Sequence, residues 1–165
     1  MKAKERMGRA SGFAAVDLLI VAVIILIVLT YALTTVSQAQ RWQARVGAAQ
    51  QFANYLETAR GDSMRRRAIQ TPQMADVTIL SDSFYTVRVD ANGDGVLDAP
   101  RVVSLADQHL TISGLYPTTL MFDSAGKALD VKGNPISATV ITFGNRSGKS
   151  VVTVSEAGKA KLLQE

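Results

Sequence analysis

The first residue whose chemistry asks for an explanation is Asp17. It lies four residues past Phe13 in the run FAAVDLLIVAVIILIVLTYAL, residues 13–33, and no charge occurs between it and Arg41. A carboxylate in hydrocarbon costs about 3 kcal/mol unless it is paired or hydrated at the interface, so Asp17 needs either a shallow position or a cation. Cutting the chain at the Ser11-Gly12-Phe13 junction supplies a cation. It creates a free α-amino group on Phe13, which a neighbouring copy can bring to Asp17.

A second constellation is the acidic run D-A-N-G-D-G-V-L-D, in which Asp90, Asn92, Asp94 and Asp98 alternate with other residues and Gly95 stands sixth. This is how a calcium loop opens, with oxygen ligands at alternate positions and a glycine at the sharp turn. The twelfth position, where such a loop carries a bidentate glutamate, is Arg101. Asn-Gly-Asp-Gly between two strand-like runs is also hairpin chemistry. Two readings therefore stand side by side, a plain turn and a calcium site.

The C-terminal part carries the cations. Residues 144–165 hold Arg146, Lys149, Lys159 and Lys161 against Glu156 and Glu165, a side-chain net of +2. Gly144-Asn145-Arg146-Ser147-Gly148-Lys149-Ser150 is excluded as a phosphate-binding loop. Three residues separate its glycines where four are needed, and strand-like Val151-Val152-Thr153-Val154 follows where a helix should start. The four cations are either a DNA-contacting edge or a solvated hairpin. Catalysis has no foothold: His109 is the single histidine, there is no cysteine, and no cluster has transition-metal spacing. An enzyme is not expected, and calcium at the acidic run is the one cofactor in view.

The elements that must position these groups follow from periodicity and charge. The 21 residues from 13 to 33 suffice for one membrane crossing. Lys2, Lys4, Arg6 and Arg9 before them place the N-terminus on the cytoplasmic side. The leader, residues 1–12, carries a net +3 and the remainder only +1, so the basic character is that of the leader and not of a nucleic-acid-binding surface. A conventional signal cut after Ser37-Gln38-Ala39 is the competing route, and it would remove the apolar run.

Beyond the apolar block, Val36, Ala39, Trp42, Val46, Ala49, Phe52, Leu56 and Ala59 recur at helical spacing, and no proline occurs before Pro72. One helix is predicted from Phe13 to about Ala68, its second half docking through Trp42 and Phe52. Arg65-Arg66-Arg67 is predicted to be a solvated helix end whose charge suits the macrodipole. From Ala75 the period shifts towards two. Strands are predicted at 77–80, 84–89, 101–105, 110–113, 119–122, 138–143, 151–154 and 160–163, separated by glycine- and asparagine-rich turns, in meander order. The fold class is α+β, a long N-terminal helix packed on an antiparallel β-sheet head.

Gly12-Phe13-Ala14-Ala15-Val16-Asp17, after basic residues and before an unbroken apolar helix, resembles the class III signal of type IV pilins and type II secretion pseudopilins. The resemblance implies a pilin fold, cleavage by a prepilin peptidase between Gly12 and Phe13, N-methylation of Phe13, and assembly through Asp17. The family normally has glutamate at that fifth mature position, one methylene longer. In the head, Asp90-Ala91-Asn92-Gly93-Asp94-Gly95, Phe122-Asp123-Ser124-Ala125-Gly126 and the Val151–Leu162 region around Gly158 resemble the minor pseudopilin H family, which includes FimT-type minor pilins. Gly158-Lys159-Ala160-Lys161 is similar to the Gly-Arg-x-Arg pattern of DNA-uptake pilins, with lysine in place of both arginines; the charge is kept and the forked phosphate contact is not.

The expected organisation is a leader at 1–12, a transmembrane half-helix at 13–35, an amphipathic half-helix at 36–70 and a β-rich periplasmic head at 71–165. The expected role is a structural subunit, a minor pilin or pseudopilin held in the inner membrane. Its expected partners are other pilins and the prepilin peptidase. A competence-type subunit whose head binds DNA is the alternative.

Overall fold

A computed structural model describes residues 8–114 and 116–164. The chain divides into two compact units, one ending at Gln40 and the other spanning Arg41–Glu165.

A single helix, α1 (Gly8–Arg66), provides all the described structure of the first unit. It is long and apolar enough to cross a membrane. Its apolar side chains have nothing to pack on in the isolated chain: Val16, Leu18, Ile24, Leu26 and Leu33 are all half-exposed or more. The hydroxyls in this stretch are satisfied by the helix itself. Thr30 donates to the Leu26 carbonyl, Thr34 and Thr35 to that of Tyr31, and Ser37 to that of Thr34, at 2.8–3.0 Å. Polar side chains that bond back to the preceding turn need no water, so they do not interrupt a lipid-compatible helix.

In the second unit α1 becomes part of a core. Ala48, Ala49, Phe52, Leu56 and Ala59 are buried, a stripe at spacings of three and four residues that only a helix can present to one side. Ala49, Phe52, Leu56 and Ala59 of the predicted stripe are fully buried, but Trp42 is 48% exposed and Val36 54%. The docked face begins instead at Arg45 and Ala48, because Arg45 turns inwards and is only 3% exposed.

Among the described residues nine strands form two antiparallel sheets. The first contains β1 (Asp76–Ile79), β2 (Phe84–Arg88), β3 (Arg101–Ser104), β5 (Thr118–Phe122) and β6 (Ala128–Leu129), in the order β3-β2-β1-β5-β6. The second contains β4 (Thr111–Ser113), β7 (Thr139–Asn145), β8 (Gly148–Val154) and β9 (Ala160–Gln164), in the order β4-β7-β8-β9. The eight predicted strands are present and the two-residue β6 is additional. The order is not a plain meander: β4 leaves for the second sheet, placing Ile112 opposite Phe143, and β5 returns to the first beside β1. Alternation tells which side chains face inwards but not which strand lies alongside.

Phe52 joins the two sheets. Its ring meets Tyr85 of β2 edge-on at 5.0 Å and Phe143 of β7 at 5.3 Å. A smaller cluster of Ala68, Met74, Met121 and Leu129 covers the other face of the first sheet, which is why β5 buries Leu120, Met121 and Phe122 in succession. The arrangement is α+β and consistent with a pilin fold.

Candidate functional site

Asp17 is exposed on α1. The Gly12–Phe13 junction continues the helical backbone, but its side chains lie outside the described residues, as do Lys2, Lys4 and Arg6. What this segment offers chemically is one carboxylate on an apolar rod, with no partner among the described residues.

The acidic run is a loop between β2 and β3, which pair with Phe84 opposite Ser104, so the hairpin reading of its flanks holds. Its oxygens are largely used by the loop itself. The Asp90 carboxylate accepts from the backbone N–H of Gly93 at 2.6 Å and of Gly95 at 2.9 Å. Both glycines have positive φ, 81° and 88°, which brings their N–H groups round to that one carboxylate. Asp94 accepts from Val96 N–H and from the Asn92 amide, and Asp98 accepts from Ala91 N–H. Asp90 is only 5% exposed, and the cation it meets is the Arg65 guanidinium at 3.2 Å. In this arrangement each loop carboxylate accepts at least one N–H bond from the loop itself. Among the described residues no group of three or more acidic or histidine side chains converges on one point.

Of the three arginines near the end of α1, Arg65 and Arg67 are exposed, as expected of a solvated helix end, while Arg66 is largely covered and Arg65 and Arg66 both pair with acids. Arg65 reaches both Asp62 and Asp90, while Arg66 donates through Nε and Nη2 to Asp62 at 2.9 and 2.7 Å. Asp62 also accepts the Asp90 N–H at 3.2 Å. Burial pushes the Asp62 carboxyl up, but the hydrogen bonds from Arg66 and Arg65 and the Asp90 N–H outweigh it, and its pKa lies below the ordinary carboxylate value. Asp62 was not singled out by sequence; the signal available was its i+3 and i+4 spacing to two arginines.

The four candidate DNA-contacting cations fall into two pairs. Arg146 and Lys149 are exposed at the β7–β8 turn, and Lys159 and Lys161 are exposed around the β8–β9 turn. Lys161 pairs with Thr153, four positions along β8 from Lys149, so these two are about 13 Å apart on the outer face.

The β8–β9 turn meets the turn between β5 and β6 under the helix. Gly158 and Gly126 have φ of 71° and 77°, and a Cβ on Gly158 would fall on the Gly126 carbonyl. Arg60 Nε donates to that same carbonyl at 3.1 Å, and Glu57 accepts the Ala160 N–H at 2.9 Å. Two of the three head motifs that carry the resemblance, the turns at Gly126 and Gly158, thus form one closely packed joint held by two helix side chains.

No family model, curated protein or solved structure matches the chain. The functional argument rests on the geometry above and on the N-terminal signal.

Proposed function

We propose that this chain is a pilin-like subunit, cut between Gly12 and Phe13, methylated on Phe13 and assembled into a pilus or secretion pseudopilus through its N-terminal helix. The observation that carries the reading is the change along α1. Before Gln40 the helix presents exposed apolar side chains with a single carboxylate, and after Arg41 it supplies the core residues of a folded head.

The apolar stretch holds the precursor in the inner membrane, with the basic leader cytoplasmic and the head on the far side. In the filament the same surface packs on neighbouring copies, where removing apolar area from water or lipid is matched by helix–helix contact. The α-amine of Phe13 on one copy neutralises Asp17 on the next.

The test is the intact mass and N-terminal sequence of the protein from membranes of cells with and without prepilin peptidase. A chain beginning at N-methylated Phe13 only when the peptidase is present is the expected result. A start at Gln40, or an uncut chain in both strains, overturns the proposal.

A further inference from the structure

Two arginines of α1, Arg41 and Arg45, lie at the β7–β8 turn, which itself carries Arg146. Arg41 and Arg146, with Gln108, His109 and Asn145, line a cleft of about 320 Å³. No carboxylate lines it. Asn145 fixes the turn to the helix by donating its amide to the Arg41 carbonyl at 2.8 Å.

Arg45 lies one helical turn beyond Arg41, on the same face. It is 3% exposed, and its Nε and Nη1 are buried without a hydrogen-bond partner. Its guanidinium lies against Gly148 at the far end of the same turn, where a Cβ would fall on Nη1. Ser150, two residues on, also buries an unpartnered hydroxyl. Among the described residues Arg41, Arg45 and Arg146 make no ion pair. An unpaired buried guanidinium is costly, and a cleft beside it that is walled by further cations and amide donors has the composition of an anion site.

We propose that this cleft binds a phosphate group, held by Arg41 and Arg146 with Asn145, Gln108 and His109 as further polar contacts and with the field of Arg45 behind them. Guanidinium forks match phosphate oxygens in pairs, which favours phosphate over a spherical anion. Its source is a phospholipid headgroup or soluble phosphate. Resting on the membrane reading above, the headgroup is favoured: Arg41 is the first charge after the apolar run, eight residues past Leu33. At helical rise that is about 12 Å, just outside the headgroup layer and within reach of it for an extended arginine side chain turned back towards the membrane.

The experiment titrates the detergent-solubilised full chain with phosphatidylglycerol, with diacylglycerol and with inorganic phosphate, reading bound species by native mass spectrometry. The comparison is Arg41→Ala/Arg146→Ala, whose exposed side chains can be removed without opening the core; circular dichroism checks its fold. Retention of phosphatidylglycerol over diacylglycerol, reduced at least about tenfold in the double variant, supports the headgroup. Retention of phosphate but not lipid, equally lost in the variant, supports the site and assigns a soluble source. Equal retention of phosphatidylglycerol and diacylglycerol, binding unchanged in the variant, or no binding of either phosphate species overturns the proposal. A chain cut at Phe13 that binds neither sinks this inference alone. An uncut chain that binds phosphate sinks the pilin reading alone.

Discussion

The Arg65 guanidinium reaches Asp90 twice, donating to its carboxylate at 3.2 Å and to its backbone carbonyl at 3.0 Å. A helix side chain thus supplies the positive charge at the mouth of a loop whose sequence looks made for a metal ion. Asp90→Ala leaves two glycine N–H groups without their acceptor and is expected to cost about 1–3 kcal/mol in chemical denaturation of the full chain in detergent. Arg65→Ala is expected to cost much less than Asp90→Ala, since that side chain is 55% exposed and its ion pair is screened by solvent. Millimolar calcium should leave the wild-type Tm unchanged. A rise of several degrees would show that the ion displaces Arg65.

Asp62 sets an acid limit on stability. Its folded pKa is depressed, so its contribution is complete above the unfolded carboxylate value of about 3.9 and is lost as pH falls through the lower folded value. Denaturation midpoints measured from pH 7 down to pH 2.5 should drop over that window. Asp62→Asn should be weaker at pH 7 and show a flatter acid limb, and parallel curves for the two proteins would contradict the assignment.

Phe52 and Trp42 separate the two roles of the helix. Phe52 is fully buried between rings from both sheets, so Phe52→Ala should destabilise the head by about 3–5 kcal/mol. Trp42→Ala removes a side chain that is 48% exposed and should change head stability by no more than about 0.5 kcal/mol. Near-UV circular dichroism followed through denaturation compares them directly.

Asp17 gives the sharpest test of assembly. The proposed pairing of its charge with the Phe13 amine predicts that Asp17→Glu still enters filaments and that Asp17→Asn stays in the membrane at wild-type abundance with incorporation down at least about tenfold. Quantifying the protein in sheared filaments against membranes reads this out. Normal incorporation of Asp17→Asn would show that the charge is not used.

The amino-acid sequence alone determined the apolar run, the Ala49, Phe52, Leu56 and Ala59 stripe of the helix and the positions of eight strands. These are local properties: a period of 3.6 or 2 is visible in neighbouring residues before anything is folded. It also marked the acidic loop and the cationic turns, because glycine and asparagine at set spacings are turn chemistry. Tertiary structure alone decided which charges meet. Arg45 sits in a polar position of the helical pattern yet lies buried under Gly148, and Arg65 answers Asp90 across 25 residues of chain. It also decided that β4 and β7 are neighbours. Partners distant in sequence are chosen by how two sheets pack on one helix, and residue spacing carries no record of that choice.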